Sequence, residues 1–242
     1  MMDPGARAAL EGLDTKKRTR EAGSTSILSR IKQHTAPPSP SLNTSRMARR
    51  MLADLGTQAA ILDLGSGSHR LAEHVTNLDI DLFPDVDIVA TGQALPFTDS
   101  VFDGVITQAV LEHVSDPNTV VGEMRRVLKD QGRIYAEIPF LQGYHPDPDD
   151  YQRFTLSGIQ WLFKDFDTID LGVCVGPSSA LVWILREYAR LLVQPSEPLG
   201  KIMYRLVGWI TLPLKYLDLI VAKTDGAHMI AAGLYFYGRK KS

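Results

Sequence analysis

Residues 61–70, ILDLGSGSHR, constrain the fold more than any other stretch of this chain. An apolar run, AAILDL (59–64), passes at once into Gly65, Ser66, Gly67 and Ser68. A buried strand ending in spaced glycines lets the backbone take positive φ and lets a ligand approach it closely. Two common ligand fingerprints fail here. A dinucleotide turn, G-x-G-x-x-G, needs a third glycine where Arg70 stands, and a phosphate loop needs a Gly-Lys-Ser/Thr that does not follow. The remaining D-x-G-x-G suits a binding turn or a plain tight turn equally.

The chain beyond it alternates. TNLDI (76–80), VDIVA (86–90), FDGVITQ (102–108) and RIYAEIPF (133–140) read as short apolar strands, and HRLAEHV (69–75) as at most two helical turns. NTVVGEMRRVLK (118–129) reads as a helix with Val120, Val121, Met124, Val127 and Leu128 on one face, entered through Asp116-Pro117. SRMARRMLADL (45–55) reads as a short amphipathic helix. Such alternation predicts an α/β fold with a mostly parallel sheet covered on both faces. Ligands of these sheets bind beyond the carboxyl ends of the strands.

Composition narrows the function. Lys and Arg total 26 against 28 Asp and Glu, a net charge of −2, which offers no phosphate-neutralising excess for nucleic acid. One cysteine, Cys174, excludes an internal disulfide framework and fits a reducing compartment; it reads as a small buried hydrophobe. Residues 1–43, with KKRTR (16–20) and APPSPSLN, are too poor in large apolar groups to form a core and read as a polar tail. The rest, 44–242, reads as one domain. The N-terminus shows no signal-peptide pattern, and the apolar stretch 202–222 carries Arg205, Lys215 and Asp218 and is broken by Pro213. A cytoplasmic location is the expectation.

Four ordered motifs, ILDLGSG, LPFTDSVFDGV, QAVLEHVSDP and RVLKDQGRIYAEIP, resemble those of class I S-adenosylmethionine-dependent methyltransferases over residues 59–140. The resemblance is to the broad type 11-like branch marked by LPF-x-D-x-x-FD and LEHV-x-D-P. It implies a Rossmann-like, seven-stranded sheet whose last strand is antiparallel, with FDTIDLGV (166–173) as the sixth strand and YFYGRK (235–240) in the last. It also implies S-adenosylmethionine as cofactor. Gly65 and Gly67 would lie under its methionine part, Asp63 would approach the amino-acid group, and Asp79 would hold the ribose. Leu95, with Pro96 and Phe97, would sit beside the adenine, and Gln108 near the methionine moiety. Thr91 stands where an adenine-contacting Asp is usual, with Gln93 as a substitute. Only 16 positions separate Asp63 from Asp79, and 16 separate Asp79 from Leu95. The first helix is therefore expected to be a stub and the second to be replaced by the loop DLFPD (81–85).

PFLQGYHPDPDDYQRFT (139–155) packs Tyr144, His145, Asp147, Asp150, Tyr151 and Arg153 into ten positions at the sheet's carboxyl edge. It resembles a subgroup bearing YH-x-x-P-x-DY-x-RFT, found among enzymes that modify sugars or lipid-linked saccharides. The functional reading is a substrate lid. His145 serves as general base, Asp150 or Asp147 orients it, and Tyr144, Tyr151 and Arg153 contact the acceptor, Arg153 through a phosphate or carboxylate. The packing alternative has Tyr151 and Phe154 filling the core while Arg153 pairs with an acidic neighbour. His145, Asp147 and Asp150 also offer donors to a divalent cation; the flanking prolines favour an extended loop, and no metal centre is expected. His113 reads as a packing residue near the site.

Residues 178–227 form an apolar insertion before the last strand. SALVWILREYARLLVQ (179–194) places Leu181, Ile184, Leu185, Tyr188, Leu191 and Leu192 on one helical face. KIMYRLVGWITLPLKYLDLIVAK (201–223) adds aromatics and cations. The pair reads as a cap over the pocket or a dimer contact, with peripheral membrane contact through 178–222 as the alternative. The expected activity is methyl transfer to oxygen of a small-molecule or lipid-linked saccharide acceptor. Transfer to nitrogen or carbon, or cofactor binding without turnover, are the alternatives.

Overall fold

The computed structural model describes residues 46–241, so the segment read as a polar tail lies outside the described residues. Helix α1 (Arg46–Leu55) precedes β1 (Ile61–Leu64), β2 (Val75–Asp79), β3 (Ile88–Val89) and β4 (Phe102–Gln108). Helix α2 (Pro117–Val127) runs straight into β5 (Leu128–Pro139), and α3 (Leu156–Leu162) leads to β6 (Phe166–Val175). Helices α4 (Pro177–Leu191), α5 (Glu197–Thr211) and the short α6 (Asp218–Val221) come before β7 (Gly233–Lys240). The strands form one seven-stranded sheet in the order β3-β2-β1-β4-β5-β7-β6. The first five pair in parallel, and β7 runs antiparallel to both its neighbours. The parallel strands are those that the spacing of apolar runs predicts, and the seven-stranded Rossmann-like order is the one that the resemblance implies.

Strand alternation divides the core between the two faces. Ile61, Ile106, Tyr135 and Tyr237 meet Ala48 and Met51 of α1 on one side. A Cβ at Gly104 would come within 2.4 Å of the Met51 methyl carbon, so this glycine lets α1 lie close to β4. On the other side Leu62, Leu64, Val105, Ile134 and Phe236 meet the predicted face of α2, and Phe163 stacks on Phe236 at 4.5 Å. The Asp116-Pro117 pair starts α2 as expected. The Asp116 carboxylate accepts from the Asn118 and Thr119 amides, and Pro117 occupies a position whose N–H would be unpaired anyway.

One expectation is corrected. Residues 65–74 are all described, and none is helical. Arg70 replaces the stub with side-chain bonds, donating to the Val75 carbonyl at 2.8 Å, the Asp85 carbonyl at 2.8 Å and Asp87 at 2.7 Å. Asn77 reaches back from β2 to the carbonyls of His69 and Asp85. The His69 and Val75 carbonyls thus find side-chain donors, in Asn77 of β2 and in Arg70, in place of helical amides. The DLFPD loop is present as expected.

The insertion is helical, but its apolar face points outward. Leu181, Ile184, Tyr188 and Leu191 do share one face of α4 and are each about half exposed. The buried side carries Ser178, Ser179, Ala180, Val182, Arg186 and Ala189. A distant carboxylate sets that orientation. Asp218 of α6 accepts from the Ser178 and Ser179 amides and from the Ser179 hydroxyl, capping α4 from 39 and 40 positions away. Arg186 completes the buried side, its guanidinium 4.8 Å from the Tyr204 ring centre. None of the described helices is long and apolar enough to cross a membrane.

Candidate functional site

The glycine turn folds onto the end of β2. Gly65 and Gly67 both have positive φ, 75° and 58°, and the Gly65 and Ser66 amides donate to the Leu78 carbonyl. A Cβ at Gly65 would lie 2.2 Å from a Val110 methyl, whereas one at Gly67 would meet nothing within 4 Å. Gly65 is therefore fixed by contact with the loop after β4, and Gly67 faces open space. Asp79 holds the turn from the neighbouring strand. One carboxylate oxygen accepts from the Gly67 amide at 2.8 Å and the other from the Asp81 amide at 3.0 Å.

Asp63 ends β1 beside it, buried to 5% exposure. Burial, with the Asp79 charge adding to it, pushes the Asp63 carboxyl up to about 7. The Ser66 hydroxyl is buried without a hydrogen-bond partner. Two carboxylates, an orphaned hydroxyl and an uncovered glycine form a cradle for a ligand that carries a cationic amine and sugar hydroxyls. These residues fit S-adenosylmethionine.

The LPFTD motif is positioned by α2. Glu123 accepts from the Leu95 amide, and Arg126 donates to the carbonyls of Leu95 and Phe97 and to Asp99. Leu95 itself is buried in the core, with both backbone groups occupied. It fixes the height of Pro96 and Phe97, which are half-buried, as is Gln108; Gln93 is exposed. The hydrophobic pattern alone could not have shown that Glu123 and Arg126 clamp this loop, because their side chains sit on the helix's polar face.

The loop after β5 is built around Arg153. Its guanidinium pairs with both oxygens of Asp150 and donates to the carbonyls of Gln142, Gly143 and Gln152. Arg153 is thus engaged within the loop rather than presented to a phosphate. Arg153 holds the Asp150 carboxyl well below the usual carboxylate range. Asp150 accepts from the His145 amide at 2.9 Å, so it orients the backbone at His145, while its nearest approach to the ring is 3.6 Å at Nδ1. Tyr144 and Tyr151 are exposed, so Tyr151 does not fill the core; its hydroxyl donates to Asp149. Phe154 does pack against the core.

The His145 ring turns instead to the loop after β4. Its Nε2 lies 3.6 Å from Glu112 Oε1, and His113 Nε2 lies 3.6 Å from the same oxygen. The two rings meet edge to face at 5.1 Å. Glu112 is completely buried, and neither of its oxygens has a hydrogen bond. The Glu112 carboxylate raises the His145 pKa against the opposing effect of burial. Sequence reasoning placed His145 here but missed Glu112 and gave His113 only a packing role. The available signal was an acid and a histidine directly after β4, at the edge where this fold binds ligands.

A family model described as a methyltransferase domain matches residues 44–136. An uncharacterized protein of Methanocaldococcus jannaschii is 31% identical over an alignment of 88 residues that covers 32% of this chain. The match spans 43% of that relative's length. Among solved structures, a candidate sarcosine dimethylglycine methyltransferase from Galdieria sulphuraria aligns over 88% of this chain and 97% of its own (TM-score 0.53, 16% identity). The 1,6-didemethyltoxoflavin-N1-methyltransferase of Burkholderia thailandensis, solved with bound 1,6-didemethyltoxoflavin and S-adenosylhomocysteine, aligns over 88% of this chain and 83% of its own (TM-score 0.52, 16% identity). The [4+2]-cyclase SpnF aligns over 81% and 80% (TM-score 0.50, 15% identity). At these identities the structural likeness speaks for the fold. The chain thus matches a methyltransferase domain over residues 44–136, within a fold that it shares with solved methyltransferase structures.

Proposed function

We propose that the protein is a methyltransferase that carries a methyl group from S-adenosylmethionine to an oxygen of a small-molecule or lipid-linked saccharide acceptor. One juxtaposition supports the reading. Val110 covers Gly65 of the cofactor turn, and two residues further on Glu112 and His113 meet His145. Methyl-donor cradle and proton-handling cluster thus share one edge of the sheet.

The bound sulfonium supplies an electrophilic methyl group, so this chain needs no protein nucleophile. Asp63 receives the donor's ammonium, Asp79 the ribose hydroxyls, and Ser66 a polar group of the methionine part. Gly65 and Gly67 keep the floor clear, while Gln93, Gln108 and the Leu95–Phe97 segment border the adenine and methionine ends. In the metal-free protein, His145 takes the acceptor's proton as general base, with Asp150 fixing its backbone. Tyr144 and Tyr151 stand exposed at the rim, where an acceptor enters. The outward apolar face of α4, continued by Ile202, Leu206 and Ile210 of α5, supports a lipid-linked acceptor or contact with a membrane surface.

Calorimetry with S-adenosylmethionine and S-adenosylhomocysteine tests the premise; affinity no better than about millimolar would end the reading. A screen of hydroxylated acceptors, read by homocysteine release, then tests the acceptor class. Failure of every alcohol alongside turnover of an amine would replace oxygen with nitrogen.

A further inference from the structure

The pairing of Glu112 with two imidazoles is an unusual state for an occupied core. A carboxylate with no hydrogen bond is costly to bury, because it gives up its water without gaining donors. Here that carboxylate is fully buried, and two imidazole nitrogens lie 3.6 Å from its Oε1. The imidazole protons are already assigned elsewhere. His113 Nδ1 lies 2.5 Å from the Asp149 carbonyl, which can only accept, so that nitrogen carries the proton. His145 Nδ1 lies 3.0 Å from the Gly143 carbonyl and 3.2 Å from an Arg153 nitrogen. The shorter contact places its proton on Nδ1 as well. With both rings neutral, the two Nε2 atoms then turn lone pairs toward a carboxylate oxygen, an arrangement that a second proton on His145 or a bound cation relieves.

We propose that Glu112, His113 and His145 are the three protein ligands of a divalent transition-metal site, for an ion of the zinc type. The three ligand atoms lie within 4.8 Å of one another. Tetrahedral coordination with bonds of about 2.1 Å puts ligand atoms about 3.4 Å apart, close to the two spacings of 3.6 Å. Two imidazoles and one carboxylate favour zinc, cobalt, iron or manganese over calcium and magnesium, which prefer oxygen throughout. Each histidine donates its other ring nitrogen to a backbone carbonyl, which fixes tautomer and ring plane as metal-bound histidines require. The burial gradient gives the site a closed floor and an open side. The Glu112 side chain is inaccessible, whereas those of His113 and His145 are 16% and 31% exposed.

The ion deepens the methyl-transfer reading and, for its chemistry, rests on it. Three protein ligands leave a position for water or an acceptor hydroxyl. A hydroxyl bound there loses its proton to solvent more readily. The resulting oxygen bonds to the methyl carbon as the carbon–sulfur bond breaks, and that electron pair stays on sulfur to give S-adenosylhomocysteine.

The test uses the full chain, stripped with chelator and dialysed against Co²⁺ and then Zn²⁺. One Co²⁺ per chain is expected, with visible d–d absorption that Zn²⁺ abolishes. Altering groups that merely orient metal ligands costs about 10–100-fold, so Glu112→Gln and His145→Asn should each weaken Co²⁺ binding by at least about 100-fold. Circular dichroism of the metal-free variants checks the fold; should Glu112→Gln fail to fold, His145→Asn on its half-exposed loop decides. Absence of stoichiometric binding, or unchanged binding in the folded variants, overturns the site. S-adenosylhomocysteine calorimetry separates the two readings. Homocysteine-nucleoside binding without metal removes the ion alone, and metal binding without the nucleoside removes the methyl donor alone.

Discussion

Asp63 offers the most direct measurement of how this site is built. Its carboxyl is pushed from an ordinary 3.8 up to about 7 by burial and by the Asp79 charge, so the folded protein prefers it protonated. Because the folded pKa exceeds the unfolded one, the associated stability is complete below about pH 4. It declines as pH rises and is lost above about pH 7. At about 1.36 kcal/mol per pKa unit, the shift costs the ligand-free fold up to about 4 kcal/mol at alkaline pH. Asp63→Asn removes the ionisation with little change of shape. Relative to wild type, its gain in unfolding free energy should grow by about 2–3 kcal/mol between pH 5 and pH 8. Urea unfolding at both pH values measures this. A difference that stays constant within about 0.5 kcal/mol would refute the assignment of the raised pKa to Asp63. The same variant should bind S-adenosylhomocysteine more weakly, because a neutral amide cannot pair with the ammonium. Wild-type binding near pH 7 should release about half a proton, seen as a dependence of calorimetric heat on buffer ionisation enthalpy.

Other substitutions probe the scaffold. Gly65→Ala combines positive φ with a clash on Val110 and should destabilise by about 1–3 kcal/mol and abolish nucleoside binding; adding Val110→Ala should recover part of the stability. Gly67→Ala meets open space and should cost only about 1 kcal/mol of backbone strain, measured by thermal unfolding. Arg126→Lys should loosen the LPFTD loop, since one ammonium cannot reproduce three planar donors, and limited proteolysis should cut near residues 95–100 faster than in wild type. Asp218→Ala strands three buried donors at the start of α4 and should cost about 1–3 kcal/mol in urea unfolding. An unchanged midpoint would show that α4 does not depend on this cap.

Much of the fold was legible because its signals are local. FDGVITQ reads as a strand and is β4 residue for residue; the Asp-Pro pair and the apolar face at 120–128 announce α2. The features that escaped rest on contacts distant in the chain. Nothing near Arg70 shows that its guanidinium will reach Asp85 and Asp87 and dispense with a helix. The apolar stripe of α4 predicts burial, yet Asp218, 40 positions on, turns the small residues inward instead. At the site, His145 stood out because imidazole chemistry is conspicuous in a polar loop. Glu112 did not, since an acid between Leu111 and His113 looks like an ordinary surface residue until the fold closes over it. Arg153 seemed poised for a ligand because the sequence cannot show that Asp150 will occupy it.

The place of β7 also bears on how the chain is assembled. β6 is complete at Val175, but its only hydrogen-bonding neighbour among the described strands, β7, begins at Gly233. Until that later segment arrives, β6 has nothing to pair with and β5 keeps a bare edge. The intervening helices meanwhile carry an exposed apolar face. Unpaired edges beside apolar surface are what chaperones recognise and what aggregates grow from. During synthesis, then, the edge of the sheet beyond β5 depends on its last strand as a wedge. Shortening that strand should lower soluble yield before it disturbs the glycine turn after β1.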